Sequence, residues 1–175
     1  MPWYGSHPYL NKYIRKHHCT RIMEIGVYTG ENAVSMVETA IESAAAPQEV
    51  EYYGFDLFWN ASSDQVGRKL EKLSCRFELF EGDTLETLPS SVASLPEMDL
   101  IFIDGGKSFA EAMSDWQNSE RLVHDRTAVF VHNADFPGVR RMLDQVSREA
   151  YRVELFQAPS EGRVAIITRK QDRAA

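Results

Sequence analysis

Apolar residues along this chain fall into two alternating regimes: short continuous runs, and longer stretches in which apolar positions return every third or fourth residue. Residues 21–25 form the first run, apolar apart from Arg21 and Glu24. It passes through Gly26 and Gly30 into a stretch with Ala33, Met36, Val37, Ala40 and Ile41 at helical spacing. This predicts a buried strand, a glycine-pinned turn and a helix. After the break at Ala44-Ala45-Ala46-Pro47, residues 50–55 predict a second strand ending at Asp56, and Val66, Leu70 and Leu73 a second amphipathic helix. A third strand over 76–80 leads to Gly82-Asp83-Thr84 and a short helix over 84–88, after which Pro89 and Pro96 bracket a polar connector. Residues 98–103 predict a fourth strand ending in Asp104-Gly105-Gly106-Lys107-Ser108, followed by a helix with Phe109, Ala112, Met113 and Trp116 on its core face. Residues 128–131 predict a fifth strand ending in His132-Asn133, and the next helix turns Val139, Met142, Leu143 and Val146 inward. Two last strands, 152–156 and 164–168, flank Ala158-Pro159-Ser160-Glu161-Gly162-Arg163, a turn-rich link that suits an antiparallel pair.

Strands alternating with helices and closing in a hairpin predict an α/β fold, a three-layer Rossmann-like sandwich around a mostly parallel seven-stranded sheet. Ligands of such sheets sit at the carboxyl ends of the strands. Glu24, Asp56, Asp83, Asp104 and His132 all fall there. The domain is expected over 21–170, with a frayed tail over 171–175. The first twenty residues carry Trp3, Tyr4, His7, Tyr9 and Tyr13 among polar neighbours. They read as a segment fastened to the domain by its aromatics, with a lid as the alternative.

The first turn selects among ligands. A dinucleotide fingerprint needs glycine at its middle position so that a pyrophosphate can approach the backbone, and Tyr28 occupies that place. Glu-x-Gly-x-x-x-Gly suits a ligand with a charged amino-acid tail and a ribose but no phosphates, and Tyr28 speaks against a nicotinamide-dependent oxidoreductase. Asp56, acidic at the end of the second strand, suits the hydroxyls of a ribose. Asp83 and Thr84 suit either a helix cap or a ligand contact.

Glu24-Ile25-Gly26-Val27-Tyr28-Thr29-Gly30 resembles motif I of the class I S-adenosylmethionine-dependent methyltransferases, and its Tyr28 is similar to the catechol O-methyltransferase type. The resemblance runs on through Asp104, Lys107 and Asn133 ahead of Pro137-Gly138. It implies methyl transfer from S-adenosylmethionine, with a cofactor pocket drawn from Glu24, Gly26, Tyr28, Gly30, Asn32, Asp56, Asp83, Thr84 and Asp104. It further implies a divalent metal held by Asp104, His132 and Asn133, which lowers the pKa of a substrate oxygen while Lys107 acts as base. His132 stands where the family usually has a second carboxylate. Histidine disfavours magnesium relative to manganese, iron or zinc, or else His132 is itself the general base and no metal binds. Lys107 reads alternatively as a solvated lysine, although a cation before a helix opposes the dipole. A non-catalytic S-adenosylmethionine-binding subunit is the alternative to an enzyme.

Composition narrows the partners. The 175 residues carry a formal charge of −7, which argues against a nucleic-acid surface and favours an acceptor that is a small molecule or modified peptide. Two cysteines without a Cys-x-x-Cys, no signal peptide and no membrane-spanning run predict a cytoplasmic protein with no membrane partner. His17-His18-Cys19 could suggest a metal site, but adjacent residues point in different directions on either regular element. With no lid domain in view, a large substrate, a homo-oligomer or a partner chain is expected to complete the site.

Overall fold

Side chains that alternate along a strand must be received on two faces, and here each face meets its own layer of helices. The computed structural model describes residues 7–171; Trp3, Tyr4 and the last four residues of the tail lie outside the described residues. The order is α1 (Pro8–His17), β1 (Arg21–Ile25), α2 (Glu31–Ser43), β2 (Glu51–Asp56), α3 (Ser63–Leu70), β3 (Arg76–Glu81), α4 (Thr84–Ser91), β4 (Met98–Ile103), α5 (Phe109–Glu120), β5 (Val123–Val131), α6 (Pro137–Gln145), β6 (Tyr151–Ala158) and β7 (Gly162–Arg169).

The seven strands form one sheet in the order β3-β2-β1-β4-β5-β7-β6. The first five are parallel to their neighbours, and β7 pairs antiparallel with β5 and β6. Met23, Ile25, Ile101, Ile103, Val129 and Val131 turn to one face and pack with Leu88, Ala112, Trp116, Val139 and Met142 from α4, α5 and α6. Ile22, Tyr52, Leu100, Phe102, Ala128 and Phe130 turn to the other and pack with Leu10, Ile14, Ala33, Met36, Val66 and Leu70 from α1, α2 and α3. The expected three-layer Rossmann-like sandwich with a terminal antiparallel hairpin is what the chain adopts.

Three local features differ from the sequence reading. The N-terminal segment contains a helix, α1, whose buried Leu10 and Ile14 carry the half-buried Tyr9 and Tyr13 onto the same core. Helix α4 runs through Pro89 to Ser91; so close to the end of a two-turn helix, a missing N–H costs one bond rather than the helix. Strand β5 begins at Val123, five positions early (128 − 123), because the ladder shifts register between Met98 and Leu100 and Thr127 Oγ1 donates to the Met98 carbonyl at 2.6 Å.

Gly26 joins a left-handed conformation to close backbone packing at the site. Its φ is 92°, and a Cβ there would stand 2.5 Å from the Asp104 carbonyl oxygen. Gly162 has a similar φ of 88°, with nothing within 4 Å of a Cβ among the described residues. Gly162→Ala is therefore expected to cost about 1 kcal/mol of backbone strain, and Gly26→Ala about 3 kcal/mol or more. Denaturant unfolding of both variants checks this; equal losses would remove the steric argument.

Candidate active site

The parallel ladder continues one residue past the strand ends. Gly26 N donates to Phe55 O at 2.8 Å, Asp104 N to Ile25 O at 2.8 Å, Gly82 N to Asp56 O at 2.9 Å and His132 N to Ile103 O at 3.0 Å. The loop residues that follow β1, β3, β4 and β5 are thus held by the sheet itself. Between β1 and β4 the strand order reverses, which is where such sheets open a crevice. A cavity of about 590 Å³ lies there.

At one end, Asp56 organises the turn. Its Oδ2 accepts from Val27 N at 2.7 Å and Tyr28 N at 2.9 Å, and its Oδ1 from Phe58 N at 2.6 Å. A carboxylate has about four lone-pair positions, so after three backbone bonds Asp56 retains capacity for one more donor, on Oδ1. Glu24, 1% exposed, accepts from Asn32 Nδ2 at 2.7 Å and from the Tyr52 hydroxyl at 2.5 Å. Burial pushes the Glu24 carboxyl up to about 8, against the pull of those two hydrogen bonds. Tyr28 lines the cavity in a left-handed conformation, φ 55°. Asp83 caps α4, accepting from Leu85 N at 2.9 Å, and with Thr84 also lines the cavity. Trp59 stands at the rim, 83% exposed.

At the other end, Asp104 Oδ1 accepts from Lys107 Nζ at 2.6 Å and pairs with His132 Nδ1 at 3.0 Å. Burial opposes ionisation of Asp104, but His132 and Lys107 outweigh it and hold the carboxyl below its ordinary range. Burial likewise opposes charge on His132, and Asp104 outweighs it, leaving the imidazole above its ordinary value. His132 Nε2 is buried and has no hydrogen-bond partner among the described residues. His7 and Glu161 complete this end: His7 Nδ1 pairs with Glu161 Oε2, and both line the cavity.

Of the residues singled out in the sequence, the cavity gathers Glu24, Gly26, Tyr28, Asn32, Asp56, Asp83, Thr84, Asp104 and His132. Its described lining does not include Gly30, Lys107 or Asn133. Gly30 is instead the N-cap of α2, its missing Cβ making room for Val66. Lys107 Nζ is turned onto Asp104 Oδ1 at 2.6 Å and stands outside the described lining of the cavity. Of the metal set Asp104, His132 and Asn133, the described lining of the cavity holds Asp104 and His132. The Asp104 oxygen that faces His132 Nδ1 already carries the Lys107 cation, and Asn133, at φ 53°, does not join them on the wall. His17, His18 and Cys19 part as well: His17 stacks on Tyr13, His18 Nδ1 meets the Ser43 carbonyl at 2.7 Å, and Cys19 is buried. Sequence reasoning passed over Glu161 as turn and His7 as one of several aromatics.

A family model described as a methyltransferase domain matches residues 23–134, which spans β1 to the loop after β5. This chain belongs to that methyltransferase family. Among curated proteins none matches the sequence. The methyltransferase does resemble solved structures over more than nine-tenths of its length. An O-methyltransferase from Bacillus cereus in complex with SAH is 15% identical with a TM-score of 0.77, covering 93% of this chain and 79% of that one. TomG from Streptomyces achromogenes, an O-methyltransferase of tomaymycin synthesis in complex with SAM, is 16% identical at 0.75, covering 93% and 78%. CalS11, a TDP-rhamnose 3′-O-methyltransferase of calicheamicin biosynthesis, is 17% identical at 0.74, covering 94% and 77%. At these identities the likeness is one of fold. Among the described residues no helix is long and apolar enough to cross a membrane.

Burial of Glu24 makes stability depend on pH. With its folded value near 8 and its ordinary value at 4.5, the folded methyltransferase binds a proton that the unfolded chain has released. This contribution is complete below about pH 4.5 and is lost as pH rises to about 8. Asp115, fully buried and pushed by burial up to about 7, adds a slope of the same sign. Thermal unfolding across this window is expected to fall less steeply in Glu24→Gln than in the parent protein; parallel curves would remove Glu24 as a source of the slope.

Proposed function

We propose that this methyltransferase moves the methyl group of S-adenosylmethionine to an oxygen of a small molecule or modified peptide. The observation that carries the reading is one cavity with the pinned Gly26–Tyr28 turn, Glu24 and Asp56 at one end and an Asp104-oriented imidazole at the other. In this reading the Gly26–Tyr28 turn and Glu24 receive the methionine part, the spare capacity of Asp56 Oδ1 takes a ribose hydroxyl, and Asp83 and Thr84 face the adenine. Tyr28 stands where a pyrophosphate-binding turn needs a glycine. That solved relatives of this fold carry SAH or SAM supports the choice of cofactor.

Transfer is an in-line displacement in which the protein aligns and desolvates the partners. The acceptor oxygen bonds to the methyl carbon as the carbon–sulfur bond breaks, S-adenosylhomocysteine leaves, and the acceptor hydroxyl gives up its proton. In this reading His132 Nε2 takes that proton. Asp104 accepts from His132 Nδ1–H, so the proton resides on Nδ1 and the lone pair on Nε2. Lys107 is a positioning residue that keeps Asp104 ionised. The departing thioether is neutral, so electrostatic attraction to carboxylates weakens after transfer and favours release of product.

Calorimetric titration with S-adenosylhomocysteine is expected to show one site, weakened at least about 10–100-fold in Asp56→Asn, as the amide nitrogen replaces one acceptor oxygen and costs both the ribose bond and part of the grip on the backbone amides. His132→Ala should keep that affinity while transfer from labelled S-adenosylmethionine to a panel of hydroxylated acceptors falls at least about 100-fold. Absence of S-adenosylhomocysteine binding, with NAD(H) bound instead, would overturn the reading.

A further inference from the structure

We infer that His7, His132 and Glu161 form a site for a divalent transition-metal cation at the acceptor end of the cavity. One ring nitrogen each of His7 and His132 and a Glu161 carboxylate oxygen all lie within 4.8 Å of one another. They come from the N-cap of α1, the loop after β5 and the turn between β6 and β7, so only the folded chain assembles them.

Each side chain is in a place its local structure does not explain. Glu161 sits in a hairpin turn, between Ser160 at φ 64° and Gly162 at φ 88°, with Ala158 paired to Gly162. A carboxylate there belongs in water, yet its side chain is only 8% exposed. Burying it is costly unless it is matched. His7 occupies an N-cap but makes no capping hydrogen bond through its side chain among the described residues; its ring is turned onto Glu161 instead. His132 has one nitrogen fixed by Asp104 and the other, Nε2, buried without a partner at 3.9 Å from Glu161 Oε2. The Tyr9 hydroxyl is a second buried polar group without a hydrogen-bond partner among the described residues.

A cation resolves these features together. Two imidazoles and one carboxylate with further positions open form the donor set of zinc, iron(II) or manganese sites rather than of magnesium. Two donors around a tetrahedral zinc stand roughly 3.3 Å apart for bond lengths near 2.05 Å, close to the 3.9 Å between His132 Nε2 and Glu161 Oε2. The ion would take the place of the proton shared by His7 and Glu161, which passes to solvent. Asp104, on the far nitrogen of His132, is the carboxylate partner that metal-binding histidines commonly have. The inference rests on the methyl-transfer reading only for its role there: an ion on His132 Nε2 would occupy the lone pair otherwise assigned to the base and would itself lower the pKa of the acceptor hydroxyl, whose proton would then pass to solvent; cation binding itself does not rest on that reading.

The test is titration of cobalt(II), followed by its visible absorption, and of zinc(II), followed calorimetrically, into metal-stripped protein. One ion per chain is expected, with a raised unfolding temperature. His7→Ala and Glu161→Gln should each weaken binding by on the order of 100-fold or more, since even losing the partner behind a metal ligand costs about 10–100-fold. Asn133→Ala should leave it unchanged. Unfolding of the metal-free variants verifies that they fold, and S-adenosylhomocysteine titrations on the same samples separate the two readings. Cofactor bound without a metal overturns this inference and leaves His132 as a plain base; a metal bound without the cofactor supports it while methyl transfer falls. Metal binding lost in Asn133→Ala but kept in His7→Ala would place the ion on the strand-end set and overturn the inference.

Discussion

The carboxylate of Asp56 gathers three backbone amides from two loops, and the mouth of the cavity depends on that grip. Val27 and Tyr28 belong to the turn after β1, and Phe58 to the loop after β2. Orphan amides at the top of a parallel sheet would otherwise await water. Drawing them onto one anion fixes the left-handed Tyr28, and through it the edge of the space that a ligand can enter. The same residue is thereby both scaffold and wall.

A continuous run of polar contacts ties the two ends of the cavity together. The Tyr52 hydroxyl and Asn32 hold Glu24, Asn32 Oδ1 accepts from His7 N at 3.2 Å, and His7 meets Glu161. Low local polarity strengthens such a chain and penalises any member left unpaired. Glu24 near 8 is the most responsive member, since a cation placed beside it favours its ionised form. Positive charge arriving at one end is felt through groups that also arrange the other.

The fold was legible because its signals are local and repeated: apolar runs at strand length, helical spacing between them, and glycines at the turns. The strand-end chemistry was legible for the same reason, since Asp56, Asp104 and His132 each terminate a run. What stayed hidden depends on distance in space. Lys107 reads as a free cation until Asp104 is seen to hold it, and Gly30 reads as part of the pocket until Val66 is seen behind it. His7 and Glu161 are separated by nearly the whole domain. An acidic residue among Ala, Pro, Ser and Gly reads as a solvated turn, and nothing short of tertiary structure buries it.

The shared register of the five parallel strands has an evolutionary consequence. Because Ile25, Phe55 and Ile103 are direct partners, as are Ile103 and Val131, the strand-end residues are aligned by counting along the backbone. Side-chain direction reverses with every residue in a strand. A substitution within one of these strands changes one contact, whereas a one-residue insertion or deletion would turn the terminal side chain away from its neighbours and exchange the two cores beneath it. A change of length is therefore better absorbed in the helices and the opposite loops than at the strand ends beside the cavity.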